Sequence, residues 1–364
     1  MQTLLLEHSG APEDDILMTV IPREIHRHYP GKFRVMVKSN NAGIWYRNPT
    51  ATSIPTEAAV GSIEPSIISV PGRPRKRQHI LQAYLDAAVT ALRPYGITSL
   101  PLTELKPSIY LDTAEMKNTP SHDGVTQGIP YWLICAGWDT KRSIYAWDAT
   151  NWQQVVSYLA MNTQYLAVYF GSSEEFTTLP RFKFGVDLCD SATLREVVWM
   201  MHNARGVICT PGQYPHIAAA LGKPCIVIAG DIRPRWYESY SMEMIKRYAP
   251  AVDDKYEPLA RSLVAHKYIG GFETCKTKGH ECYGVNMLKD CDNITQPNPA
   301  NLQSPRMQQA SCMADITYHQ VIKAIKMYEE KMGEAGYDQR IINSRDEIVD
   351  ADDVPGAILA AVGE

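Results

Sequence analysis

Residues 190 to 236 restrict the fold of this chain more than any other stretch: DSATLREVVWMMHNARGVICTPGQYPHIAAALGKPCIVIAGDIRPRW. Leu194, Val197, Val198 and Met201 recur at helical spacing, and the apolar run Gly206-Val207-Ile208-Cys209 follows. A glycine-bearing turn, a second helix and a second buried strand come next. Unbroken apolar strands separated by helices imply a parallel sheet covered on both faces. Such sheets take their ligands beyond the carboxyl ends of the strands. Here those ends carry Thr210-Pro211-Gly212-Gln213 and Gly230-Asp231, so a ligand site is expected between the two loops.

The same alternation runs through most of the chain. A first strand over Thr3 to Glu7 leads through a polar turn to a helix starting near Asp14 or Asp15, and Pro22 within that helix predicts a kink or a later start. Gly31 closes it before a strand over Phe33 to Val37. Between Ser39 and Arg77 only a short strand near Ile67 to Val70 is expected. A helix over His79 to Leu92 ends at Pro94 and Gly96, and a further strand is expected over Pro107 to Leu111. Polar sequence from Asp112 to Gly128 suits a domain junction.

A second alternation opens with the strand Tyr131 to Ala136, followed by a basic loop holding Lys141 and Arg142 and a helix near Asn151 to Met161. The strand Tyr165 to Phe170 then ends in Gly171-Ser172-Ser173, and a short strand is expected over Val186 to Leu188. Short helices are expected between Glu238 and Arg261, a long loop over 270–312, a helix opened by a Thr317 to Gln320 capping box, and a last helix over Val354 to Val362. At 364 residues two domains are expected, because single cores rarely exceed roughly 250–300 residues. We divide the chain into 1–125, 126–335 and a segment 336–364 that packs back toward the first domain.

No apolar run approaches the roughly 18–20 residues of a membrane span, and the opening residues read as a strand rather than a signal peptide, so a cytoplasmic location is expected. The net charge of −4 gives no support to general nucleic-acid binding. Between Arg23 and Arg93, however, eleven Lys or Arg face four acids, and Arg73, Arg75, Lys76 and Arg77 are the densest cluster. This patch suits a phosphorylated acceptor, or a solvated loop. Of eight cysteines, Cys135, Cys189, Cys209 and Cys225 lie in or at the end of apolar strand patterns and read as small buried hydrophobes. Cys275, Cys282, Cys291 and Cys312 lie in irregular polar sequence at spacings of seven, nine and twenty-one. These match no compact zinc knuckle, which leaves unlinked thiols, a structural zinc and disulfides as readings.

The residues favour a phosphorylated ligand in the second domain. Helix amino termini behind Gly171-Ser172 and Thr210 to Gln213 offer free backbone N–H groups, and Lys141 with Arg142 can add the positive charge a diphosphate needs. In the first domain Asp14 and Asp15 are placed for a general base, or simply cap a helix. His216, near the start of a small apolar helix, reads as a buried structural histidine or as a phosphate or hydroxyl contact.

The run His216 to Pro224, with the helix and strand before it, resembles the donor region of the bacterial ADP-heptose lipopolysaccharide heptosyltransferases. Asp14 to Thr19, Tyr29-Pro30-Gly31, the Lys141-Arg142 to Trp147 loop and Gly171 to Glu175 resemble further segments of that family in order. The resemblance covers roughly residues 1–38 and 130–236, with an echo at Cys312 to Tyr328. It implies an α/β protein of the GT-B type, two Rossmann-like domains with parallel sheets facing across a cleft. It also implies an inverting glycosyltransferase with a nucleotide-diphosphate sugar as donor and no required cofactor.

By the same resemblance Asp15 is the general base and Lys141, or its neighbour Arg142, contacts the donor phosphates. Together with the strand-end reading, Gly171, Ser172, Thr210, Gly212, Gln213, His216 and Asp231 are expected to line the donor site. The sequence departs from the family pattern where Asp14 replaces a glycine and where Thr210-Pro211-Gly212-Gln213-Tyr214 replaces a loop containing an aspartate. The acceptor expected is a phosphorylated glycan or, on a second reading, a hydroxylated base in DNA. A nucleotide-sugar epimerase, or a sugar-nucleotide-binding module without catalysis, would also suit such a donor site.

Overall fold

In the first part of the chain, four short strands form one parallel sheet. In the computed structural model the described residues are 1–7, 11–54, 66–69, 78–117, 129–136, 145–171, 181–230, 238–242, 245, 259, 266–270, 294–295 and 309–333. The strands are β1 (Gln2–Glu7), β2 (Phe33–Lys38), β3 (Thr52–Ile54) and β4 (Ser66–Ser69), in the order β3-β2-β1-β4. Every pairing is parallel, so helices must carry the chain back between strands. These are α1 (Pro12–Met18), α2 (Val20–His28), the short α3 (Ala42–Trp45) and α4 (Ile80–Leu92).

The expected kink is a break. Helix α1 ends at Met18 and α2 begins at Val20, with Thr19 between them and Pro22 in the first turn of α2. Pro22 has no N–H for the carbonyl of Met18. The Thr19 hydroxyl donates to the carbonyl of Ile16 (2.6 Å) and accepts from the N–H of Ser108 (2.8 Å), so the break is closed by a side chain.

The strand expected over Pro107 to Leu111 does not form. That segment runs as an irregular strap whose backbone bonds go to side chains instead of a ladder. Arg23 donates to the carbonyls of Lys106 (2.7 Å) and Glu104 (3.0 Å), and Arg195 donates to that of Tyr110 (2.8 Å). Ile109 and Leu111 are buried, which explains why the apolar pattern alone suggested a strand. After the strap comes α5 (Thr113–Lys117), within the expected junction.

The second sheet is larger and wholly parallel: β5 (Tyr131–Cys135), β6 (Leu166–Tyr169), β7 (Val186–Asp187), β8 (Gly206–Cys209), β9 (Cys225–Ile228) and β10 (His266–Ile269), in the order β10-β9-β8-β5-β6-β7. Its strands sort their side chains by parity, because successive residues point to opposite faces. Leu133, Cys135, Val207, Cys209 and Val227 join a core shared with the first sheet and its helices. Helices α7 (Leu194–Asn203) and α8 (Gln213–Ala220) belong to that side. Trp132, Ile134, Ile208, Ile226 and Ile228 face a second core built by α6 (Ala149–Asn162) and α10 (Tyr318–Gly333).

Several helices start where the sequence supplies a cap. The Asp148 side chain accepts from the N–H of Thr150 at the start of α6, and Thr193 with Glu196 forms a full capping box at α7. At Thr317 the N–H donates to Gln320 Oε1 (2.7 Å), half of the expected box. The small pair β11 (Ile294–Thr295) and β12 (Gln309–Ala310), with α9 (Ser311–Ala314), places part of the expected long loop in regular structure. Among the predicted buried thiols Cys189 is only half-buried, since it lies past the end of the two-residue β7. The helix expected over Val354 to Val362 and most of 238–261 lie outside the described residues.

Candidate functional site

Strand order in the second sheet reverses at one seam, between β5 and β8. From β5 the chain winds outward through β6 and β7, then returns to β8 on the other side of β5 and winds outward through β9 and β10. Cys135 and Cys209 pair in register as the last residues of the two seam strands, so the chain leaves the sheet side by side at Ala136 and Thr210. A seam of this kind leaves a crevice at its carboxyl end, because the two connections diverge there.

The loop after β8 combines a buried hydroxyl with a helix amino terminus. Thr210 is fully buried, and its hydroxyl has no hydrogen-bond partner among the described residues. Gly212 stands at φ 140° and ψ −148°, a conformation open to glycine and costly for other residues. It starts α8 at Gln213, whose first turn exposes N–H groups that an α-helix cannot satisfy internally. No side chain caps this end. Gly171 is buried just past β6, its carbonyl accepting from the N–H of Asp190 (3.0 Å). Lys141, Arg142, Ser172 and Asp231 lie outside the described residues.

In the first sheet the seam lies between β1 and β4. Helix α1 follows β1 and carries Glu13, Asp14 and Asp15 in its first turn. Asp15 is fully buried, so its charge requires partners. Asn41 Nδ2 donates to Oδ2 (2.5 Å) and Trp45 Nε1 to Oδ1 (3.2 Å). Asp14 is only half-buried and accepts the hydroxyl of Tyr84. Arg73, Arg75, Lys76 and Arg77 fall between β4 and α4, outside the described residues.

The two halves meet where α1 packs on α8. There His216 lies with Nε2 at 3.2 Å from Glu13 Oε1 and Nδ1 at 2.6 Å from the Tyr240 hydroxyl. Both ring nitrogens are therefore engaged within the protein. Around Tyr240 the rings of His79, His216 and His266 stand at 5.6, 5.5 and 5.5 Å in edge contacts. His79 Nε2 lies 3.2 Å from the carbonyl of Ser239. Burial pushes His79 from 6.5 down to about 3, against a raising contribution from that carbonyl and with a further lowering by His216. His266 is likewise pushed down to about 3 by burial and by His216. Burial raises the Tyr240 phenol well above its ordinary value.

Thus Asp15, Thr210, Gly212, Gln213 and His216 gather on the two seams and on the helices joining them. The sequence reading missed Asn41, Trp45 and Tyr84 as partners of the carboxylates, and Glu13 and Tyr240 as partners of His216. No local pattern marks these partners, since the burial of Asp15 that calls for N–H donors arises only in the fold. Cys275, Cys282 and Cys291 lie outside the described residues, while Cys312 is half-buried on α9. Among the described residues no cluster of His, Cys, Asp and Glu is placed to hold a metal, and no helix is long and apolar enough to cross a membrane.

Residues 67–249, just over half of the chain, match the family described as glycosyltransferase family 9 (heptosyltransferase). By sequence, none of the curated proteins matches. Among solved structures, the ADP-heptose LPS heptosyltransferase II of E. coli superposes with a TM-score of 0.59 at 14% identity, over 92% of this chain and 100% of that one. A family 9 glycosyl transferase from Veillonella parvula gives 0.57 at 12% identity, over 90% and 97%. The iron-containing dodecameric heptosyltransferase TibC, in complex with ADP-D-beta-D-heptose, gives 0.53 at 13% identity, over 91% and 76%. At these identities the likeness concerns the fold: two parallel-sheet units of the GT-B type.

Proposed function

Because the chain belongs to glycosyltransferase family 9, the heptosyltransferase family, and is a glycosyltransferase, we propose that it moves a sugar from a nucleotide-diphosphate donor to a hydroxyl of a phosphorylated glycan, with inversion. The observation that carries this reading is the seam loop of the second sheet: a buried, unpartnered Thr210 hydroxyl beside an uncapped helix amino terminus opened by Gly212. Amides at Gln213 and the Thr210 hydroxyl take the donor phosphates. Lys141 and Arg142, on the loop that starts beside them, supply positive charge, and Gly171, Ser172 and Asp231 complete the donor side. His216 fixes α8 against α1. Residues 1–125 take the acceptor, with Arg73, Arg75, Lys76 and Arg77 meeting its phosphate, and residues 126–335 take the donor.

Asp15 is the general base. As the acceptor oxygen bonds to the anomeric carbon, its proton passes to the Asp15 carboxylate, and the bond to the diphosphate breaks with its electron pair on the leaving oxygen. Charge grows on the diphosphate, where amides and cations aimed at it stabilise the transition state more than the ground state. One observation favours a second assignment within the same reaction: Asp15 is sealed, whereas the neighbouring Asp14 is half-exposed and holds the Tyr84 hydroxyl.

A thermal-shift panel of ADP-, UDP- and dTDP-sugars, with ADP-heptose first, identifies the donor through the stability that a native-state ligand confers. With that donor and a phosphorylated glycan, Asp15→Asn is expected to cut transfer by roughly 10²-fold or more while the donor-induced shift persists. Loss of transfer in Asp14→Asn alone would move the base to Asp14, and full transfer by both variants would sink the mechanism.

A further inference from the structure

Helix α7 belongs to the second unit, yet the side chain of Arg195 in its first turn is spent on the first. Nε and Nη2 grip the two carboxylate oxygens of Glu115 at 2.7 and 2.5 Å. Nη2 also donates to the carbonyl of Tyr110 (2.8 Å) and Nη1 to that of Gly43 (3.2 Å). The guanidinium stacks over the ring of Tyr46 at 4.9 Å. Gly43 is what permits the approach, since a β-carbon there would come within 3.2 Å of that of Arg195.

These contacts converge on α3. Gly43 and Tyr46 flank Trp45 in the segment 41–46, and this segment supplies the two N–H groups, from Asn41 and Trp45, that hold both oxygens of Asp15. At four residues α3 is too short to hold its own geometry, and neither Asn41 nor Tyr46 is fixed by a helix cap. Its outer side is instead braced from the donor unit by one planar, multiply bonded guanidinium.

We propose that Arg195 is a positioning residue: acting through the Asn41 to Trp45 segment, it sets the orientation of the Asp15 carboxylate relative to the donor unit. This rests on the reading of Asp15 as the base. The donor arrives on the second unit and the base sits on the first, so productive transfer needs a register between them. A small misplacement of a catalytic group costs up to about 10²-fold in rate. Arg195 joins the donor unit to the segment that aims the base, and it touches neither the base nor the seam loop.

The test is a double-mutant cycle on transfer. Arg195→Ala and Trp45→Phe, the latter removing one N–H from Asp15 while keeping an apolar ring, are each expected to lower kcat by roughly tenfold with unchanged donor-induced thermal shift. The double variant is expected to be no slower than the worse single one, because both act through one segment. Arg195→Lys, with one nitrogen for four acceptor oxygens, is expected to restore only part of the rate. Should Trp45→Phe fail to fold, Asn41→Ala takes its place in the cycle. An Arg195→Ala enzyme with wild-type kcat, or effects of the two changes that multiply, would overturn the positioning role. Retained transfer in Asp15→Asn would instead overturn the base assignment beneath it, so the two failures are told apart.

Discussion

At Thr210 the folded chain keeps a hydroxyl where no described group answers it. A buried polar group left without a partner costs about 1–3 kcal/mol, so the position makes physical sense if a ligand completes it. Thr210→Val keeps the shape and removes the hydroxyl. The free protein is expected to hold or gain up to about 1 kcal/mol in urea unfolding, while the donor-induced thermal shift shrinks. An undiminished shift would separate Thr210 from the donor. This residue, with Gly212 and Gln213, was legible in the sequence because strand ends and glycine turns are local signals. Asn41, Trp45, Tyr84 and Glu13 were not, because each acts on a residue far from it in sequence or across the two units, and only the fold sets those pairings.

Among the elements, those with several turns or four consecutive buried residues were read closely: β8 and β9, α4, α6 and α7. The short β3 and β10 were missed. Thr52–Ile54 has three residues, and His266–Ile269 reads His-Lys-Tyr-Ile, which has neither alternation nor a continuous apolar run. The strap over 107–111 was misread for the opposite reason, since its apolar residues are buried by tertiary packing without a neighbouring strand. Its attachment to the helix break at Thr19 is open to measurement. Thr19→Val removes the acceptor for the N–H of Ser108, and a cost of about 1–3 kcal/mol in urea unfolding is expected. A variant as stable as the parent would mean that the strap is held by Arg23 and Arg195 alone.

For the whole molecule, the buried histidines between the units set an acid limit. His79 and His266 have folded values pushed from 6.5 to about 3, so the unfolded chain binds protons that the folded one does not. Their contribution to stability is complete above pH 6.5 and is lost as pH falls from 6.5 toward 3, at up to about 1.4 kcal/mol per pH unit for each. The melting temperature is therefore expected to fall over this window, and His266→Gln to flatten its slope; an identical slope in the variant would show that other groups carry the acid limit. Two domains and a parallel architecture could be read from length and alternation. How the units are joined could not, because Arg195 with Glu115 and His216 with Glu13 are single pairs with no periodic trace.

The seam between β5 and β8 has a bearing on how this enzyme can change. Neighbouring strands lie about 4.8 Å apart, a spacing that one diphosphate can span. If the donor diphosphate sits at this seam as proposed, the segments that follow Cys135 and Cys209, which pair in register, address a single chemical group together. On the proposed donor reading, a change after one strand is felt through the same phosphate after the other, so a new donor would require both segments to be rewritten at once.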